Sequence, residues 1–454
     1  MKKTILIMFL FLYSVSSVLA DNIGKNRKMD FKNDDEFLTY IQKQYFKYIW
    51  DAALPNSGLS RVRIITNNPE RDKNTITVGS SGFALAGILV GIERGFISRT
   101  KGLERIERIA DFLERSDRYH GMWSHWIDDT NAKTIPFANP ASKDNGGDIA
   151  ESAFMAEGIL CARQYFAKGN KREKALAAKL DKLWKEMEWS WYLNDENALM
   201  WHWSPNYGWE KNFPLKGYNE CLAPYILGVS SPTHPLPVAA YYEGWARKGA
   251  ILSDTTLYGI PTIVMHNTGK QYVGPLFWTA FSYVGFDPYG IKDKLGINYW
   301  DVNVNQVKIQ RAYCIENPKG FPGYGADCWG FSAGYSVKGY KAHNTKTDYG
   351  AITPSGTIAA MPYAPKEIMV ALKHFYFDLG DNLWGPYGFY DAYIPASNSV
   401  VNDYLGNNQC AVVPMIENHR SGMLWKLFMS APEIKNGLEK LGFTKDISKD
   451  NLPD

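Results

Sequence analysis

The chain has 454 residues, with 50 basic against 47 acidic side chains, 45% hydrophobic and 14% aromatic residues, including 15 Trp and 28 Tyr. Charge this balanced, with no long run of one sign, argues against nucleic acid or an anionic membrane as partner. Five cysteines (161, 221, 314, 328, 410) are too few for a disulfide scaffold; one must stay unpaired, and a Cys314–Cys328 bridge is left open.

Lys2 and Lys3 precede an apolar run from Ile5 to Leu12, and "SVLA" ends in small residues, the pattern of a secretory signal peptide over residues 1–20. The run is too short to span a bilayer, and Asp21, not cysteine, follows the expected cut. The remainder, residues 21–454, is therefore read as one exported domain without a membrane anchor, periplasmic or secreted, and expected to be a monomer. No Pro/Gly/Ser linker divides it.

Helical patterns dominate. In "NDDEFLTYIQKQYFKYIWDAAL", Asn33 and Glu36 stand as a capping-box pair. The segment "IAESAFMAEGILCARQYF" is apolar or small nearly all round and predicts a helix buried on most sides. The next, "KREKALAAKLDKLWKEMEWSW", carries one stripe of Leu176, Leu180, Leu183, Trp184, Met187 and Trp191, so its other face meets water. A buried helix followed by an amphipathic one, repeated about six times, predicts an all-α (α/α)6 toroid whose inner helices line a cavity. Strand-like pieces such as "YGAITPSGTIAAM" are few, and the long loops at 131–145, 192–218 and 317–348 are expected to build the site.

"GFSAG", residues 330–334, matches G-x-S-x-G, but Gly and Pro crowd the residues before Ser332 where a nucleophile elbow needs a buried strand. The eight histidines show no metal-ligand spacing, and no phosphate-binding loop is present, so no metal or other cofactor is expected. Carboxylates beside aromatics remain, which is what hydrolysis of a glycosidic bond requires: one protonated carboxyl and one carboxylate. The surplus of Trp and Tyr fits, because flat rings stack on the apolar faces of sugars. Asp148 and Glu151 have the spacing of a helix capping box, the structural alternative to a catalytic role. Glu220 in "KGYNECLAPYILG" is the stronger acid candidate, since Pro224 fits only near a helix start and an aromatic setting raises a carboxyl pKa.

The series "NGGDIAESAF", "WHWSPN", "YNECLAPYILG", "SSPTHPLP", "GPLFWTAFSYVGFDP", "MPYAPKEIMVALKHFY", "DNLWGPYGFYDAY" and "VVPMIENHRSGMLWKLF" resembles glycoside hydrolase family 144. The resemblance runs from about Asp34 to the C-terminus and implies an (α/α)6 barrel that cleaves β-1,2-glucan with inversion, by endo action or by release of sophorose. Its acidic triplet falls on Asp144, Asp148 and Glu151, its Asn-Glu pair on Asn219 and Glu220, and a further aspartate on Asp391. One block departs: "WGFSAGYSV" lacks the aspartate usual in the family, which leaves endo and exo action both open.

The expectation is that Glu220 protonates the leaving oxygen and that Asp391, or failing that Asp144, activates water. Asp148 and Glu151 are expected to hydrogen-bond sugar hydroxyls or hold the water network, Asn219 to contact the sugar, and Trp201, Trp245, Trp384 and Tyr387 to stack on glucose. His234, Glu417 and Arg420 are candidates for the cleft wall, with a Glu417–Arg420 ion pair as the alternative. The rival readings are a non-catalytic exported glycan-binding protein and an (α/α) polysaccharide lyase, which would need a basic cleft.

Overall fold

The computed structural model describes residues 29–138 and 142–446; the expected signal peptide lies outside them. Helix α1 spans Asp34–Trp50. Asn33 accepts the Glu36 N–H at 2.9 Å, but Glu36 accepts from Lys32, not from Asn33, so half of the predicted box forms. There follow α2 (Val78–Glu93), α3 (Arg99–Arg115), α4 (Ile149–Phe166), α5 (Lys171–Lys185) and α6 (Leu222–Ser230). Later come α7 (Pro354–Ala359), α8 (Gly406–Ser421) and α9 (Pro432–Lys440). Among the described residues no helix is long and apolar enough to cross a membrane.

Burial divides these helices into two layers. Every side of α4 is buried except Gln164 and Tyr165, α6 is buried throughout, and α2 is buried from Val78 to Gly91. In contrast α3 and α5 bury one stripe each and leave charged faces in water. The inner helices α2 and α4 touch through backbone: a Cβ on Gly82 would stand 2.1 Å from the Phe154 carbonyl oxygen, and one on Gly158 2.2 Å from that of Gly82. Helix α8 packs on α2 and so joins the end of the chain to its beginning, while α1, α3, α5 and α9 cover the ring from outside. This is the (α/α)6 arrangement that the alternation predicts.

Two expectations are corrected. The "strand-like" 349–361 segment contains α7, since Pro354 occupies a first helical turn that needs no donor there. Trp191 falls beyond the end of α5 at Lys185, in a 3-10 turn, and is 43% exposed. All five cysteines are free and buried.

Short strands deliver the chain into the inner helices. Strands β1 (Thr75–Thr77), β2 (Trp126–Asp128) and β3 (Thr134–Ile135) form one antiparallel sheet, with Thr77 opposite Trp126. Strand β4 (Gly147–Asp148) pairs with β5 (His202–Trp203), and β6 (Ala333–Ser336) with β7 (Gly339–Ala342) as a hairpin. Thr77, just ahead of α2, and Ala150 and Glu151, in the first turn of α4, line one cavity, so both helices begin at the same end of the ring. The N-terminal ends of α6 and α8 meet there too, so four positive helix termini converge on one cavity.

Candidate active site

The cavity at these termini measures about 610 Å³. Trp126, Phe137, Trp201 and Phe213 pack in series along it, Phe154, Phe281 and Phe277 form a second series, and Tyr335 and Tyr340 of the β6–β7 hairpin complete the aromatic lining. Two carboxylates, Glu151 and Glu220, line it with His125.

Glu151 comes from the first turn of α4. Asp148 caps that helix, its Oδ1 accepting the N–H groups of Ala150 and Glu151 at 3.0 Å. Glu151 does not reach back as a capping box would. Its Oε2 crosses to α2, accepting the Gly79 N–H at 2.7 Å and the Thr77 hydroxyl at 3.2 Å, so it caps the neighbouring inner helix. His125 lies between the two acids, Nδ1 2.7 Å from Asp148 Oδ2 and Nε2 3.7 Å from Glu151 Oε1. Burial pulls the imidazole pKa down, but Glu151, Asp148 and Asp144 outweigh it and raise it to about 9. His125 is therefore a cation at neutral pH. Burial raises the Glu151 pKa, and the His125 charge opposes that rise.

Glu220 stands just before α6, whose start Pro224 helps to fix. Burial raises its carboxyl to about 7, its own backbone N–H opposes, and the nearby Glu151 and Asp148 charges add to the rise. Desolvation thus outweighs the helix terminus, and Glu220 holds a proton near neutrality.

Asp144 and Asp391 lie behind the walls and not in the cavity. Asp144 is 2% exposed and pairs with Lys211 Nζ at 2.6 Å, while Lys211 sits 4.4 Å over the Trp201 ring. Asp144 therefore steadies an aromatic wall. Asp391 is 1% exposed beneath the hairpin, where it accepts the Tyr335 N–H at 2.7 Å. Burial raises its carboxyl to about 7. Gly334 lies directly on it: a Cβ there would be 3.2 Å from Asp391 Oδ2. The pair Gly146 and Gly147 is likewise set by close approach, a Cβ meeting the Trp203 carbonyl oxygen at 2.1 Å and the Tyr192 hydroxyl at 2.0 Å.

Of the expected sugar contacts, Trp201 and Glu151 line the cavity, and Asp148 acts through His125. Asn219 instead accepts the Cys221 N–H at 2.8 Å and donates to Asn267, fixing the turn that carries Glu220. Trp245 is fully buried, its indole N–H donating to the Tyr299 hydroxyl at 2.9 Å. Trp384 is buried edge-on to Phe389, and Tyr387 packs on Tyr48 and Tyr404. These rings fill the core of a wide ring, which consumes aromatics without displaying them. His234 lies in the turn after α6, its N–H donating to the Ser231 hydroxyl, and does not line the cavity. Glu417 forms a two-pronged pair with Arg94, at 2.7 and 2.9 Å, while Arg420 pairs with Asp35. Arg94 ends α2, whose 16 residues place it about 24 Å from the cavity end. Ser332 is buried and precedes strand β6, the reverse of the strand-then-nucleophile order of an elbow.

The Glycoamylase family model, described as glucoamylase, matches residues 212–432. An endo-β-1,2-glucanase from Chitinophaga pinensis, solved with sophorotriose and glucose, superposes with a TM-score of 0.88 at 50% identity, over 91% of this chain and 99% of that one. This chain belongs to glycoside hydrolase family 144. A β-1,2-glucanase structure from Parabacteroides distasonis gives a TM-score of 0.84 at 40% identity, over 90% of this chain and 60% of that one. A curated relative from the same organism, an exo β-1,2-glucooligosaccharide sophorohydrolase acting at the non-reducing end, is 40% identical over 90% of this chain. The present family 144 chain spans 58% of that relative's length.

Sequence reasoning missed His125, Thr77 and the hairpin tyrosines, along with the wall aromatics Trp126, Phe137 and Phe213 and the phenylalanines Phe154, Phe277 and Phe281. The His125 partner, Asp148, is 23 positions away, so no local spacing reveals the pairing.

Proposed function

We propose that this family 144 chain is an anomer-inverting glycoside hydrolase acting on β-1,2-glucan. The observation that carries the reading is the pair of unlike carboxyls in one aromatic cavity: Glu220, protonated near pH 7, and Glu151, held between two helix termini beside cationic His125. Glu220 donates its proton to the glycosidic oxygen as the bond to the anomeric carbon breaks. Water attacks that carbon from the opposite face and gives its proton to Glu151. Inversion by this route needs the two carboxyls roughly 6.5–9.5 Å apart, leaving room for the water. Glu151 replaces Asp391 and Asp144 as the base because it alone of the three lines the cavity.

The substrate follows from the relatives, whose names specify β-1,2-glucan and its oligosaccharides. Endo action is favoured, since the endo-acting relative is matched over 99% of its length. We also infer export, from Lys2 and Lys3 ahead of the apolar run.

Incubation with linear β-1,2-glucan and chromatography of the products tests the reading. A ladder of oligosaccharides is expected; sophorose alone would replace endo by exo action, unsaturated products would mean a lyase, and intact glucan a binding protein.

A further inference from the structure

The loop 189–213 presents four large apolar side chains to solvent, and all are aromatic: Trp191 at 43%, Tyr207 at 38%, Trp209 at 37% and Phe213 at 54% exposure. We propose that Trp191 and Trp209 form a glucan-binding platform outside the cavity, on which the β-1,2-glucan chain leaving the cavity stacks. This rests on the activity proposed above.

Three observations carry it. The Trp191 ring is held in place before any ligand arrives: it stacks on His120 with centroids 3.6 Å apart and planes 13° apart, and His120 Nδ1 lies 3.0 Å from Glu188 Oε2. Trp203 stands edge-on to Trp191 at 6.1 Å, and Trp209 lies 6.5 Å away, tilted by 32°. Rings fixed in this way lose little rotamer freedom on binding. The platform is also continuous with the cavity. Trp209 and Phe213, which lines the cavity, are joined by a turn closed by the Asn212 N–H on the Trp209 carbonyl at 2.9 Å. Four residues reach at most about 14 Å, so a chain emerging past Phe213 meets the platform at once.

The composition selects the ligand. Separate indoles beside polar groups suit a neutral chain of pyranoses, each ring offering one apolar face, and their continuity with the cavity makes that chain the substrate itself. Binding there raises the local concentration of polymer at the cavity without touching the reacting bond.

The test uses the full chain and linear β-1,2-glucan as probe. In the Glu220→Gln background, Trp191→Ala with Trp209→Ala is expected to weaken retardation in glucan-containing native gels, with Kd for polymer rising about tenfold. In the active background KM for polymer rises similarly, and kcat/KM for oligosaccharides of three or four glucose units stays unchanged. Polymer Kd and KM equal to the parent's would overturn the platform. A parent protein that leaves polymer and oligosaccharides alike intact overturns the proposed activity instead, so the two failures are distinguishable.

Discussion

Replacing Glu220 with glutamine is expected to lower kcat on β-1,2-glucan by about a thousandfold, the usual loss when a positioned proton donor is removed. Binding should survive, because glutamine keeps the size and the polar contacts of the carboxyl. The pH profile gives a second readout. The Glu220 pKa is raised to about 7, so the donor is protonated below that pH and activity should fall as pH rises through it. Glu220→Gln removes this limb. Its effect on stability has the opposite sign: the raised pKa means that wild-type stability is lost as pH climbs from the ordinary carboxylate range through about 7. The variant carries no such charge. It should be at least as stable as the parent, and more so in alkaline solution, as thermal melts at pH 6 and pH 9 would show.

Glu151 separates catalysis from helix capping. Glutamine at this position still offers an oxygen to the Gly79 N–H and the Thr77 hydroxyl, but it cannot take a proton from water. Glu151→Gln is expected to lower kcat by about two to four orders of magnitude, with melting close to wild type. Glu151→Ala removes the cap as well, and should lose a further ~1 kcal/mol of stability. Both variants withdraw the charge that most raises His125, so the imidazole pKa should drop below about 9, measurable by NMR titration. Wild-type turnover in Glu151→Gln would move the base elsewhere.

The layering of helices was legible because burial imposes its own composition. Helix α5 shows one stripe and a complete Asn170–Glu173 capping box, whereas α4 shows neither a polar face nor a reciprocal box. Glu220 could be placed because Pro224 and the aromatics around it constrain a short stretch of chain. Glu151 could not, since a D-x-x-E spacing reads as a cap at its own helix, while the carboxylate caps a helix 72 positions earlier. Asp391 is the first candidate for the base on sequence alone. Only the hairpin folded over it, through the Tyr335 N–H, shows that its oxygens are occupied behind the wall. Trp191 misled in the other direction, continuing an apolar stripe past the point where the helix stops.

The most direct measurement of the central claim is the anomer formed first. Proton NMR of a β-1,2-glucooligosaccharide digest, read before mutarotation, should show the α-anomer of the new reducing end, because Glu220 and Glu151 act in a single displacement. The β-anomer appearing first would contradict it, since retention requires a covalent intermediate and a second displacement.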